Sequence, residues 1–145
     1  LSSNLYRTGE YKEYLLDGAM QSCHAGVPEV VFANTVDGAL KAIGDAFCKA
    51  SIMDKADVSE SGLSNDNAKI MLDNVVGAVP LSGVDLKCVD GVVLAIGPER
   101  GWSDRERGLF VANGFKPMLL GNRVLRTETA CSAGLAVLLS RMGLL

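Results

Sequence analysis

The stretch VVLAIGPERGW, residues 92–102, decides the fold of this chain. Its apolar run leads directly into Gly97 and Pro98, a pattern typical of a buried parallel strand that ends in a sharp turn. Ser103 follows, and Glu106 stands three positions later, so the sequence predicts a capping box and a helix that begins here. A strand, a tight glycine loop and a helix N-terminus in this order are typical of an α/β protein.

The rest of the chain alternates between helical and strand patterns. Further helices are predicted over residues 9–24, 36–50 and from Thr127 onward, and further strands over residues 28–33, 69–73 and 115–121. Pro117 places its strand at the edge of the sheet, or itself among the first residues of that strand. Gly114 is expected to end the helix after Ser103, and residues 51–68 read as a surface loop. The alternation predicts a parallel sheet with helices on both faces.

Two of the predicted helices carry apolar side chains in informative positions. The first is expected to bury one face, which is formed by Tyr11, Leu15, Leu16, Ala19, Met20 and Cys23. The last helix is apolar on nearly all sides, so it is either buried on several sides or forms an oligomer interface. Residues 74–90 are ambiguous and are interpreted as a loop with at most one short element.

Length and charge narrow the function. A chain of 145 residues is expected to form one domain, and its net charge of −3 argues against a generally basic nucleic-acid binder. Five of the seven arginines lie between Arg100 and Arg126, whereas the first ninety residues are acidic. That segment is either a local basic patch or a solvated charged face.

The cysteines indicate the compartment. None of the four is spaced as CxxC, and His24 is the single histidine, so we expect neither a metal site nor a disulfide framework. We read them as reduced and mostly buried, in an intracellular protein of the cytoplasm or of an organelle. No apolar run approaches the roughly 18 residues of a membrane span. Because the chain begins at Leu1, a missing N-terminal region stays open.

Two glycine loops are expected at one edge of the sheet. In open parallel sheets, ligands bind outside the carboxyl ends of the strands, where residues 97–101 and 121–126 would lie. Neither loop has the spacing of a phosphate-binding motif, GxGxxG or GxxxxGK[ST]. Each is either a tight connection or part of a ligand pocket.

The same loops carry a resemblance. AIGPERGWSDRE, residues 95–106, and LLGNRVLRTETA, residues 119–130, resemble the paired signatures of the RsmE family, and MQSCHAGVPEV, residues 20–30, resembles a third family segment. This family belongs to the SPOUT, or α/β-knot, RNA methyltransferases. The resemblance implies a C-terminal trefoil knot that binds S-adenosylmethionine (SAM). It also implies a homodimer that methylates N3 of a uridine in small-subunit ribosomal RNA.

The resemblance, the distribution of arginines and the chemistry of methyl transfer together predict roles for individual residues. The expected SAM-binding residues are Ile96, Gly97, Pro98, Glu99, Gly101, Leu120, Gly121, Val124, Leu125, Arg126 and Thr129. The expected RNA-binding residues are Arg100, Arg105 and Arg123, and Arg126 is the candidate catalytic residue. Glu99 is interpreted as a cap for loop amides rather than as an acid–base group, and Glu128 as a carboxylate suited to the start of the last helix.

The sequence departs from the family pattern at several positions. Arg100 replaces a glycine and Trp102 a phenylalanine, Met20 replaces a glutamate, and His24 stands near a usual arginine. No segment of the 145-residue sequence resembles the family's N-terminal RNA-binding barrel. The chain is therefore either the family's catalytic domain alone or a relative that finds RNA another way. Two alternative functions also stay open: a SPOUT enzyme that acts on another RNA position, and a SAM-fold binding module without turnover.

Overall fold

The computed structural model describes residues 4–23, 25–53, 67–75 and 77–145. The chain divides into two compact units, Leu1–Phe32 and Ala33–Leu145. His24 and most of the predicted loop at 51–68 lie outside the described residues, although residues 51–53 belong to a helix.

The first unit contains two helices, α1 (Asn4–Thr8) and α2 (Tyr11–Gln21). The rings of Tyr6, Tyr11 and Phe32 form an aromatic cluster with centroids 5.4–5.9 Å apart. Ala19 is the buried residue of α2, and Tyr11 and Leu15 are half-buried on the same stripe.

Two predictions for this unit are wrong. The buried face of α2 is narrower than expected, because Leu16, Met20 and Cys23 are exposed. Residues 28–33 form no strand, and Val30, Val31 and Phe32 are exposed. An apolar run becomes a buried strand only where a neighbouring strand pairs with it, and none of the described strands does so here.

The second unit is built around a parallel sheet. Its described strands are β1 (Ala68–Leu72), β2 (Val79–Pro80), β3 (Val92–Ala95) and β4 (Lys116–Leu119), in the order β2-β4-β1-β3. All three pairings are parallel, which confirms the predicted sheet type. β2 and a 3₁₀ turn (Leu81–Gly83) lie in the segment 74–90, so this segment contains two short elements rather than the one expected at most.

Pro117 lies in an interior strand, because β4 pairs with both β1 and β2. The expectation of an edge strand is therefore wrong, while the alternative, a proline among the first residues of the strand, is correct. A proline lacks the amide hydrogen of a ladder bond, so it is tolerated most easily at a strand's beginning.

Helices cover both faces of the sheet, as predicted. Ile70 packs with Met118 and with Leu138 of α5 (Thr127–Met142). Met71, one residue later, packs on the opposite side with Phe110 of α4 (Asp104–Ala112) and Phe115. Leu40 of α3 (Val36–Met53) packs against this second cluster. Successive side chains of a strand point to opposite faces, so neighbouring residues of β1 anchor two separate cores.

The predicted capping box at the start of α4 is confirmed. The Ser103 hydroxyl accepts a hydrogen bond from the Glu106 amide at 3.3 Å, and the Ser103 amide donates to Glu106 Oε2 at 2.8 Å. Gly114 follows the helix with a φ of +84°, a conformation that glycine adopts without steric cost.

Helix α5 has one buried face and one exposed apolar face. Gly134 and Leu138 are buried, and a Cβ on Gly134 would lie 3.0 Å from Leu72 Cδ1, so a larger residue would require the Leu72 side chain to shift. On the other side Cys131 and Leu135 are exposed, Leu135 to 52%.

The cysteines differ from the prediction. Cys23, Cys88 and Cys131 are free and exposed rather than buried, and the side chain of Cys48 lies outside the described residues. In the described part of the chain, no three His, Cys, Asp or Glu side chains lie close enough together to hold a metal ion. No helix among these residues combines the length and the apolar character needed to cross a bilayer.

Candidate ligand-binding cavity

A cavity of about 300 Å³ lies where three strands of the second unit end. Its walls come from the residues after β1, β3 and β4 and from the start of α5. The volume lies at the lower end of the range typical of small-molecule sites. The two glycine loops therefore meet at one cavity, as their position after parallel strands predicts.

Most of the residues predicted to bind SAM line this cavity. The eight that do are Ile96, Gly97, Pro98, Glu99, Gly101, Leu120, Val124 and Leu125. Gly121, Arg126 and Thr129 do not contribute to the lining, although each is next in sequence to a residue that does.

The three arginines predicted to bind RNA separate into two places. Arg100 and Arg123 line the cavity. Arg105 lies instead in a depression between the beginnings of α3 and α4, together with Thr35 and Asp37. The structure thus brings two of these arginines to the cavity and leaves the third outside it.

Sequence reasoning missed part of the wall. The unpredicted lining residues are Leu72, Asp73, Asn74, Trp102, Thr127 and Ala130. The rule that located the glycine loops also applies to the end of β1, since the predicted strand 69–73 runs into Asp73 and Asn74. The signal was present, but no glycine marks that strand end.

Trp102 packs against the first loop, residues 97–101, and holds it in place. Its indole lies so close to Gly97 that a Cβ on that residue would stand 3.1 Å from the ring. The indole N–H donates to the Leu72 carbonyl at 2.9 Å, and the ring centroid lies 4.6 Å from that of Phe110. A side chain at position 97 would therefore require the Trp102 ring to shift.

Arg100 is engaged at the rim of the cavity. One guanidinium nitrogen donates to Glu106 Oε1 at 2.6 Å and the other to the Gly101 carbonyl at 3.2 Å. The bond from Arg100, together with those from Ser103, lowers the pKa of Glu106 to about 2. Gly101 has a φ of +74°, and its amide donates to Pro98 at 2.8 Å, which closes a tight turn.

Arg107 connects α4 to the end of β1. Its Nε donates to Asp73 Oδ2 at 2.6 Å, its Nη1 to Asp104 at 2.7 Å and its Nη2 to the Trp102 carbonyl at 3.3 Å. The carboxylate of Asp73, which accepts the first bond, is the largest cause of a raised pKa of Arg107. These bonds fix the Asp73 side chain in the cavity wall.

The second loop, residues 121–126, makes fewer contacts than the first. Its residues 121–126 are exposed, Val124 to 82%, and in the described part of the chain no hydrogen bond involves residues 121–125. The Thr127 hydroxyl donates to the Gly97 carbonyl at 3.3 Å and so joins the start of α5 to the first loop.

Glu99 does not act as the predicted cap. It is exposed in the lining, and among the described residues it has no hydrogen-bond or ion-pair partner. Glu128 lies in the first turn of α5, as predicted, where a carboxylate complements the helix dipole.

The chemistry of the cavity suits a compact, partly apolar ligand. Leu120, Val124 and Leu125 provide apolar surface, and the glycine loops expose backbone amides and carbonyls. Carboxylates at Asp73 and Glu99 are complementary to hydroxyl or cationic groups. Such an arrangement can recognise a ring, its polar edge and a positive charge without a phosphate cradle.

The chain belongs to the RNA methyltransferase domain family, which matches residues 2–139. A ribosomal RNA small subunit methyltransferase E of Treponema pallidum is 32% identical over 140 residues, which are 97% of this chain and 47% of that protein. A relative of the same name, numbered 1, from Borreliella burgdorferi is 24% identical over 98% of this chain and 51% of its own length.

A solved structure agrees with the fold. A ribosomal RNA small subunit methyltransferase E of Neisseria gonorrhoeae, bound to S-adenosyl methionine, superimposes with a TM-score of 0.68 at 26% identity. The match covers 93% of this chain and 48% of that chain. The chain therefore spans about half the length of the curated relatives and of this solved structure.

Proposed function

We propose that this chain is the SAM-binding catalytic domain of a ribosomal RNA methyltransferase, which transfers a methyl group to N3 of a uridine in small-subunit rRNA. The observation that carries the proposal is the cavity, because both loops that resemble the family signatures line it. Membership of the RNA methyltransferase domain family and the SAM-bound Neisseria relative support the same cofactor and the same class of substrate.

The residues present fit SAM. The adenine ring needs an apolar slot, which Leu120, Val124 and Leu125 supply, and backbone groups that read its edge, which the loop at 97–101 supplies. Gly121 lies next to the lining residue Leu120, and its lack of a side chain would allow the second loop to approach the ring closely. Thr129 lies in the first turn of α5, next to the lining residue Ala130, and would also contact SAM.

The chemistry requires positioning and charge stabilisation. SAM, when bound, supplies an electrophilic methyl group on a positively charged sulfur. The protein must orient the uridine for an in-line displacement and exclude water. Uridine N3 becomes nucleophilic as its N–H bond breaks and the proton passes to solvent, and negative charge then spreads to the flanking carbonyl oxygens. Arg126, at the N-cap of α5, is proposed to stabilise that charge with its guanidinium.

The RNA contact is proposed to involve few basic residues. Arg123 and Arg105 have no ion-pair partner among the described residues, whereas Arg100 is paired with Glu106 and Arg107 with Asp73. Arg100 must give up its bond to Glu106 if it binds a phosphate. We therefore expect this chain, with its net charge of −3, to bind RNA weakly and in a salt-dependent way.

A homodimer is proposed from the exposed apolar face of α5. Leu135 and Cys131 lie one helical turn apart and are both exposed, while the opposite face of the helix packs on the sheet. A second copy of this face would cover both residues and form an isologous interface. Light scattering at micromolar concentration should give the mass of a dimer, and a monomer mass contradicts the assembly.

Two further properties come from the family resemblance. The segment after β4 is proposed to be threaded as the trefoil knot of the SPOUT fold, with α5 following the knotted loop. The protein is proposed to act inside the cell, where its ribosomal substrate is located. No metal ion is required by the proposed chemistry.

Two measurements test the function. Titration with SAM should quench the fluorescence of Trp102, because this residue lines the cavity and is the only tryptophan of the chain. Mass spectrometry of small-subunit rRNA after incubation with protein and SAM should locate one new methyl group at uridine N3. Binding of SAM without methylation indicates a binding module, and a methyl group elsewhere indicates another RNA position. Failure to bind SAM contradicts the proposal.

A further inference from the structure

Asp73 is a carboxylate in the cavity wall to which neither the sequence pattern nor the family resemblance gave a role. It follows β1 directly, and its side chain is only 11% exposed. Glu99, the other carboxylate of the lining, is exposed. A shielded charge acts more strongly on a bound ligand than an exposed one, since water and salt screen it less.

The position of Asp73 is fixed from two sides. Its backbone amide donates to the Met118 carbonyl at 3.1 Å, and its Oδ2 accepts the Nε–H of Arg107 at 2.6 Å. No described residue donates to its other carboxylate oxygen, Oδ1. One acceptor of a positioned carboxylate therefore remains available in the wall of the cavity.

Arg107 neutralises this carboxylate only in part. The same guanidinium also binds Asp104, so one cation is shared by two anions. Asp73 lines the cavity and Arg107 does not, so Asp73 is the member of the pair closer to a ligand. Asp104 is fully exposed and lies outside the lining, so its charge is screened by solvent, and the negative charge next to the cavity is that of Asp73.

The two cationic side chains of the lining, Arg100 and Arg123, compensate the negative charge of Asp73 only in part. The guanidinium of Arg100 is directed onto Glu106 and the Gly101 carbonyl, and its side chain is exposed. Arg123 is exposed as well. Both are open to solvent, which screens their effect on a ligand more than that of Asp73.

We infer that Asp73 is a specificity-determining residue that favours the positively charged methyl donor over the neutral product left after transfer. The inference rests on the proposed function of this site. In the transfer, the bond between sulfur and methyl breaks, its electron pair stays on sulfur, and a sulfonium becomes an uncharged thioether. The two ligands therefore differ by one unit of charge and one methyl group, and a carboxylate in the wall acts on the charge.

Calorimetric titration with SAM and with S-adenosylhomocysteine tests this inference in the Asp73→Asn variant. The amide keeps the shape of the side chain and an acceptor for Arg107 while it removes the charge. We expect the ratio of the two affinities to shift against SAM by about tenfold, the size of a partly screened charge interaction. Equal loss of affinity for both ligands overturns the inference.

Asp104→Asn is the matched control. It removes the same charge from the other partner of Arg107, but Asp104 is fully exposed and lies outside the cavity lining. The affinity ratio should stay that of the wild type. A shift as large as that in Asp73→Asn shows that the charge acts from anywhere in the cluster, and so overturns the role of Asp73.

Arg107→Met provides a test in the opposite direction. It removes the neutralising cation and leaves the Asp73 carboxylate, so the preference for SAM over S-adenosylhomocysteine should increase. If Asp73→Asn does not fold, this variant alone tests the role of Asp73. An unchanged or reduced preference overturns the inference. If the wild-type protein binds neither ligand, the proposed function itself is wrong. If it binds both ligands and the variants do not shift the ratio of the two affinities, only the role of Asp73 is wrong.

Discussion

The two glycine loops that line the cavity, residues 97–101 and 121–126, each follow a strand of the parallel sheet but are held in different ways. The first is braced by Trp102, which packs against Gly97 and donates to the Leu72 carbonyl of β1, and by Arg100, which binds Glu106. The second has no hydrogen bond at residues 121–125 to any described residue, and Val124 is largely exposed.

This difference assigns the two loops different physical tasks. A braced loop offers backbone groups that are already in position, so a ligand loses little affinity in ordering it. An unbraced loop must be ordered by something outside itself, and part of the binding energy is used for that ordering. We expect the methyl donor and a second copy of the chain to supply the missing contacts of the second loop.

Loss of the brace should have the largest effect. Trp102→Ala removes the ring that packs against Phe110 and leaves the Leu72 carbonyl without its donor. We expect the free energy of unfolding to fall by about 3 kcal/mol, as for other large-to-small changes in aromatic clusters. Denaturant titration followed by circular dichroism measures this value. A loss below about 1 kcal/mol would mean that the loop is held by other contacts.

In the second loop, Arg126 is the residue for which we expect the largest effect on chemistry. Arg126→Ala should lower the single-turnover methylation rate by about 10²-fold, because the charge that develops on the uridine oxygens loses its stabilising guanidinium. SAM affinity should stay nearly unchanged. The opposite result, weaker SAM binding with the rate restored at saturating SAM, assigns Arg126 to cofactor binding only.

A pair of glycine substitutions compares the loops directly. Gly121→Val should reduce SAM affinity by about tenfold or more without loss of stability, because the new side chain meets no protein atom within 4 Å but occupies the space next to the ligand. Calorimetry measures the affinity, and thermal unfolding the stability. Wild-type affinity in this variant would remove Gly121 from the site.

Gly97→Ala is the counterpart in the braced loop. Its Cβ would stand 3.1 Å from the Trp102 indole, so the ring must shift. The emission of this single tryptophan should therefore change before any ligand is added, whereas in Gly121→Val it should not. Identical emission from both variants would contradict the difference between the loops.

The smallest effect concerns the bond between Arg100 and Glu106. The folded state lowers the pKa of Glu106 from 4.5 to about 2, through its bonds from Arg100 and Ser103. The stabilisation is therefore complete above pH 4.5 and is lost as the pH falls toward 2. Glu106→Gln should flatten the decrease in melting temperature over this range. An equally steep decrease in the variant would assign the acid sensitivity to other carboxylates.

Sequence patterns predicted those elements that depend on neighbouring residues. The capping box at Ser103, the end of α4 at Gly114 and the strand that precedes Gly97 all follow from contacts within a few positions. Residues 28–33 show the limit of such patterns. Their apolar run resembles a strand, but a strand forms only with a partner, and the local sequence does not identify one.

The amino-acid sequence by itself determined the strand, loop and helix around Gly97, the helix caps and the two glycine loops that were expected at one edge of the sheet. Only the tertiary structure decided that Asp73 meets Arg107, 34 positions later, and that Trp102 binds the Leu72 carbonyl, 30 positions earlier. Caps and turns form between neighbours in the chain, so neighbouring residues encode them. Which strand ends lie side by side depends on the order β2-β4-β1-β3, and that order is set by the packing of the whole unit.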